Sequence, residues 1–201
     1  MRTLANAVGA VGAVGLGIAA AAFAETRAFR LHEVTVPVLE PGTLSDRDRE
    51  GFTILHVSDL HMLAHQKTKQ AWVASLAALN PDLVVNTGDN LGEEQAVPSV
   101  LKALGPLLRR PGVFIFGSND YYAPHPVNPF NYLLGKRNEP SDVELPWKGM
   151  RAAFIEHGWE DATHRRVDFT VGKFRLAVGG VEDPHLDRDD YDSLEIGRAH
   201  V

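Results

Sequence analysis

The sequence predicts an α/β domain behind an apolar targeting segment. Two observations carry the α/β reading: short apolar runs rich in strand formers alternate with stretches of helical periodicity, and each of the first three runs stops at a polar cluster. A chain of 201 residues has room for one ordinary domain besides a targeting segment. Its hydrophobic fraction of 44% against 23% charged residues is that of a chain able to bury a core.

From Leu4 to Ala24 the residues are almost all Ala, Val, Gly, Leu, Ile and Phe, with Asn6 the one clearly polar interruption. About 20 apolar residues suffice to cross a bilayer, so this stretch reads as a membrane-inserting helix. Ala22-Phe23-Ala24 also has the small-x-small form of a signal cleavage site. Residues 1–25 are therefore expected to be a signal peptide or a retained anchor. Arg2 lies on one side and Arg27 and Arg30 on the other, so flanking charge does not separate the two. Residues 26–50, with Pro37, Pro41, Gly42 and the charged run Ser45 to Glu50, read as a linker or edge segment.

Residues 51–194 are expected to carry the domain. Phe52 to Ser58 is a strand ending at Asp59-Leu60-His61. Trp72, Val73, Leu76 and Leu79 then recur at helical spacing, with Asn80-Pro81 as the stop. Leu83 to Thr87 is a second strand, running into Gly88-Asp89. Val97 to Leu108 is a helix that Gly105-Pro106 must bend or shorten. After a turn at Pro111-Gly112, Val113 to Phe116 is a third strand, ending at Gly117-Ser118-Asn119-Asp120. Tyr121 to Pro146 reads as a long loop. Trp147, Met150 and Phe154 suggest a short helix closed by Gly158. Val167 to Val171 and Phe174 to Val178 are joined by Gly172-Lys173, a pair suited to a type II′ hairpin.

Strands that alternate with helices form a parallel sheet through right-handed crossovers, so the polar residues after each strand converge on one edge. Asp59, His61, Asp89 and Asn119 should therefore be neighbours. Asp with His suits Mn, Fe or Zn better than Ca or Mg. With no cysteine in the chain, thiolate sites, disulfides and cysteine nucleophiles are excluded. Taken singly, each motif has a plainer reading: D-x-H is a polar loop, Gly-Asp a turn, and Asn119 a left-handed turn residue.

Taken in order, Asp59-x-His61, Gly88-Asp89 and Gly117-Ser118-Asn119-Asp120 resemble the first three blocks of the calcineurin-like metallophosphoesterase family. The resemblance is close over Phe52 to Asp120 and looser through Gly179-Gly180-Val181-Glu182-Asp183. It implies a sandwich of two mixed β-sheets flanked by helices and two divalent or trivalent transition-metal ions, Mn, Fe or Zn. It implies Asp59 and His61 on the first ion, Asp89 bridging both, and the third block on the second. A metal-bound hydroxide would attack a phosphomonoester, phosphodiester or pyrophosphate, with Asp89 and Asn119 in the catalytic centre.

The third block departs from the family's Gly-Asn-His-Asp/Glu order. Without a gap, Ser118 falls at the Asn ligand position and Asn119 at the catalytic His; with a one-residue slip, Asn119 keeps the ligand role. Asn119 is the favoured ligand, because an amide oxygen is the better donor to a second metal. Either way no imidazole stands at the general-acid position. His125 is too isolated to replace it. Family members also carry a later His and a Gly-His-x-His block, which His157, His164 and His185 do not match. The domain is therefore expected to be incomplete at its C-terminus, and residues 195–201 read as translated adapter sequence. Such a piece would bind its metals poorly and could lack activity by itself.

Membrane-associated bacterial members of the family suggest a small phosphorylated substrate, lipid-linked in one version, and attachment through the N-terminal helix. A net charge of −6 argues against nucleic acid as a partner. The alternative is a non-catalytic, metal-dependent binding or regulatory module that has lost its general acid.

Overall fold

The computed structural model describes residues 15, 17–38, 51–125, 134, 141–192 and 194. The chain divides into two compact units, residues 1–46 and 47–201. In the first, residues 17–25 are helical. Thr26 Oγ1 donates to Phe23 O (2.8 Å) and the Arg27 guanidinium stacks 3.7 Å from the Phe23 ring centroid. Most of the expected apolar helix before residue 15, the linker at 39–50 and the tail at 195–201 lie outside the described residues. Among the described residues no helix is long and apolar enough to cross a membrane.

The second unit is built on a four-stranded sheet of order β1-β2-β3-β4, with β1 at Ile54–Val57, β2 at Leu83–Asn86, β3 at Gly112–Phe114 and β4 at Glu160–Asp161. All three pairings are parallel, with Val57 opposite Asn86, Asn86 opposite Phe114, and Phe114 opposite Asp161. The crossovers are helical, as parallel pairing requires. Helix α1 (Lys67–Ser75) runs into a 3-10 turn (Leu76–Leu79) that stops at Asn80, whose φ of 53° is left-handed. Helix α2 (Val97–Leu104) packs on α1 and on helix α4 (Trp147–Glu156). Between them, a single turn of helix, α3 (Ser118–Tyr121), follows β3.

Expected and observed elements agree in kind and differ at their ends. Gly105-Pro106 shortens the helix rather than bending it: α2 stops at Leu104, and a 3-10 turn (Leu107–Arg109) follows Pro106. Leu107 and Leu108 are buried all the same, which explains why the periodicity ran on through the break. The third strand is Gly112–Phe114 rather than Val113 to Phe116. Ile115 N still donates to Asn86 O (3.0 Å), but Phe116 leaves the ladder for an aromatic cluster with Phe114, Phe154 and Trp147. The β4 strand was not foreseen. It has no apolar run of its own and is anchored by the preceding Trp159, which is buried and donates through Nε1 to Arg110 O (3.1 Å).

The hairpin is longer than expected, with β5 at Arg165–Val171 and β6 at Phe174–Gly180 paired antiparallel. Its turn has a positive φ at Gly172 (58°) and not at Lys173, the type II′ pattern. A parallel four-stranded sheet and an antiparallel pair, flanked by helices, agree with the fold the resemblance implies.

Candidate metal centre

The loops after β1 and β2 are zipped together by their backbones. Beyond the strands the ladder continues through Asp59 N to Gly88 O (3.0 Å), His61 N to Asp89 O (2.9 Å) and Met62 N to Asn90 O (2.8 Å). Leu60 and Met62 are buried, and their burial holds the intervening Asp59 and His61 at the surface. Asp59 (φ 54°), His61 (φ 37°) and Asp89 (φ 54°) all adopt left-handed backbone. That conformation costs about 1–2 kcal/mol for a residue with a side chain. Three such residues in one cluster are a concentration of strain of the kind found at functional sites.

The loop after β3 meets the second loop backbone to backbone. Gly88 has a φ of +90°, and a Cβ there would stand 2.3 Å from Gly117 N. A Cβ on Gly117 would in turn lie 2.2 Å from Asp89 Oδ1. Only glycines allow this approach. It lets Asn119 hold both oxygens of Asp89, its backbone N–H on Oδ1 (2.9 Å) and its Nδ2 on Oδ2 (2.9 Å). Asn119 is thus not a left-handed turn residue but part of α3.

Asp120 ties the same two loops from inside. Fully buried, it accepts from Asn90 N (2.8 Å), Leu91 N (3.3 Å) and Gly117 N (3.1 Å). Burial pushes its carboxyl up to about 7, against the pull of the Gly117 and Asn90 N–H groups, and the Asp89 charge adds to the rise. Beneath it Asn86 and Asn90, also fully buried, bond each other (2.8 Å and 3.1 Å). Sequence reasoning named Asp120 only as a member of the third block and missed Asn86 and Asn90. The available signal was an Asn closing an otherwise apolar strand, which a buried position tolerates only with partners.

One oxygen or nitrogen from each of Asp59, His61 and Asp89 falls within 4.8 Å of the others. His61 Nε2 is 3.7 Å from both Asp59 Oδ1 and Asp89 Oδ2. Those gaps are too long for hydrogen bonds. Two ligand atoms each about 2.0–2.2 Å from a shared cation stand roughly 3–3.5 Å apart, so the two gaps at His61 are close to what an ion of the Zn or Mn type needs. The calcineurin-like phosphoesterase family model matches residues 52–184, well over half of the chain and spanning all three loops.

The chain belongs to the calcineurin-like phosphoesterase family. Among curated proteins none matches it significantly. Phosphoesterases of this family are metal-dependent hydrolases, and among the described residues Asp59, His61 and Asp89 form a group that could hold a metal ion. Asp59 and Asp89 line a cleft of about 530 Å³, to which Ser58, Thr87, Ser118 and Asn119 offer polar groups and which Glu182 and Asp183 also line.

Two later histidines of the chain are engaged elsewhere. His157 Nδ1 lies 2.8 Å from Ala153 O at the end of α4, and His164 Nε2 lies 3.3 Å from Glu182 Oε2. Neither joins the ligand cluster. Ser118 is held through its N–H by Asp183 Oδ2 (3.0 Å). Sequence reasoning also missed Lys69, whose Nζ donates to Leu60 O (2.9 Å) between the two ligands of the first loop. A lysine on an amphipathic helix gives no sign that it will reach a loop nine residues away.

Proposed function

We propose that this phosphoesterase hydrolyses a phosphomonoester, phosphodiester or pyrophosphate bond of a small substrate bound in the cleft. Two transition-metal ions, Mn, Fe or Zn, would be held by Asp59, His61, Asp89 and Asn119. The observation that carries the reading is the convergence of Asp59, His61 and Asp89 at one sheet edge, with Asn119 seated on both oxygens of Asp89. Bound cations would supply an activated water and neutralise charge on the phosphoryl oxygens.

The chain's own groups divide the remaining work. Asp89 Oδ2 has His61 Nε2 at 3.7 Å and Asn119 Nδ2 at 2.9 Å, which brings the side chains from all three loops to one carboxylate. A half-turn of the Asn119 amide exchanges Nδ2 for Oδ1, so the same side chain offers an oxygen to a cation. That supports Asn119 over Ser118 as the third-block ligand. Thr87, Ser58 and Ser118 supply neutral hydrogen-bonding groups along the cleft for an anionic substrate.

Neither Ser118 nor Asn119 can protonate an alkoxide at neutral pH, and general-acid help is worth roughly 10²–10⁴-fold. The substrate is therefore one with a good leaving group, a phenolate or a phosphate. With Mn²⁺ supplied, turnover of an aryl phosphodiester should exceed that of its alkyl analogue by about 100-fold or more. Comparable rates on both would contradict the missing acid. Asp89→Asn should reduce aryl turnover by at least about 100-fold. Mn²⁺ binding without turnover of any phosphoester would instead favour the non-catalytic binding module, whose support is the amide where an imidazole is usual. The apolar segment from Leu4 to Ala24 supports a site at or beyond a membrane and a lipid-linked substrate. Recovery of a tagged full chain in the soluble fraction, with its segment uncleaved, would count against that.

A further inference from the structure

We infer that Glu182 and Asp183 are positioning residues that grip the single helical turn carrying Asn119 at its two ends and so aim Asn119 at Asp89. The inference rests on the proposed role of Asn119 as a metal ligand.

A helix of four residues cannot hold itself, because the first turn orders several residues for very few hydrogen bonds. Across this turn the backbone bonds are Asp120 N to Gly117 O (3.0 Å) and Tyr122 N to Ser118 O (3.1 Å), with Gly117 N on Asp120 Oδ2 (3.1 Å). Its direction must come from outside. At the N-terminal end, Asp183 Oδ2 accepts the Ser118 N–H (3.0 Å). At the C-terminal end, the Tyr121 hydroxyl donates to Glu182 Oε1. Asn119 is the residue next after Ser118, and it reaches Asp89 with both its N–H and its side chain. Two adjacent acidic residues in the segment leaving the hairpin thus bracket the turn that carries Asn119.

Glu182 is itself fixed. His164 Nε2 lies 3.3 Å from its Oε2 and an Arg188 guanidinium nitrogen 3.9 Å from the same atom. The Arg188 guanidinium also stacks over the Tyr121 ring at 4.3 Å. With His164 and Arg188 both at its Oε2, Glu182 keeps Oε1 as a fixed acceptor for Tyr121 rather than acting as a free carboxylate in the cleft.

The test is Mn²⁺ titration of the full chain, followed by the electron paramagnetic resonance signal of the free ion. Asn119→Ala should weaken one binding event by about tenfold, and Asp183→Ala should weaken the same event by about fivefold or more. Asp183→Asn, which keeps an acceptor oxygen for Ser118 N–H, should stay within about twofold of the unaltered chain. Tyr121→Phe keeps the ring and removes only the bond to Glu182. It should also weaken that event, and it decides the matter alone if Asp183→Ala does not fold. Adding Asp183→Ala to Asn119→Ala should cost nothing further, since the grip acts through Asn119. If Asn119→Ala loses affinity while Asp183→Ala and Tyr121→Phe keep it, the grip is wrong and Asp120 with the aromatic core suffices. If Asn119→Ala itself changes nothing, the ligand role of Asn119 fails instead.

Discussion

Asp120 shows how much of the candidate metal site is built from residues outside its cluster of possible ligands. Its carboxylate receives N–H groups from both Asn90 and Gly117, so it needs acceptors on both oxygens. Asp120→Asn would turn an NH₂ toward one of those donors and leave a buried pair unsatisfied. We expect a loss of about 1–3 kcal/mol in urea unfolding. Gly88→Ala should be worse, for its backbone is left-handed and its new methyl would strike Gly117. We expect the variant to lose Mn²⁺ binding while far-ultraviolet circular dichroism still shows the folded sheet. The convergence of Asp59, His61 and Asp89 was legible from the sequence, because they follow the apolar runs of two neighbouring strands. Asp120 was not, since a polar letter in a polar cluster gives no hint that it faces inward.

Among the elements, β4 and α4 are joined by an ion pair whose consequence is a pH dependence. Arg151 Nε and a terminal nitrogen both lie 2.6 Å from Asp161 Oδ2, and Asp161 is 2% exposed. Burial would raise that carboxyl, but Thr163 and the Arg151 guanidinium outweigh it and hold it below the ordinary value. A carboxyl depressed on folding contributes stability that is present above its unfolded value and is lost as pH falls through the folded one. Arg151→Ala should therefore cost about 1–3 kcal/mol at neutral pH. It should also move the acid-unfolding midpoint upward, as followed by tryptophan fluorescence. The sequence signalled α4 and the hairpin through periodicity and turn chemistry. It could not signal β4, whose two residues are placed by a neighbouring tryptophan rather than by a pattern of their own. Likewise Gly105-Pro106 marked a disturbance in the helix, but only packing of Leu107 and Leu108 decides that the chain resumes as a 3-10 turn.

For the whole molecule, parallel topology is what made the site readable at all. Once three strands run the same way, their carboxyl ends share an edge, and residues 30 positions apart become neighbours, as Asp89 and Asn119 are. Metal binding should then stabilise the domain as a unit, because the cluster draws on loops from separate strands. A saturating ion adds about 2.7 kcal/mol at 100 times its Kd. Chelation should lower the melting temperature of the chain measurably, and Asp59→Ala should remove most of that difference. A chelator-insensitive transition would show that the loops are prearranged without help from any cation.

The back-to-back glycines at Gly88 and Gly117 have a mechanical consequence. Gly88 and Gly117 meet with no Cβ between them, and Asn119 sits on both oxygens of Asp89 across the same seam. A molecule that presses on Ser118 should therefore shift Asp89, so that occupancy of the cleft and the stiffness of that carboxylate are expected to change together.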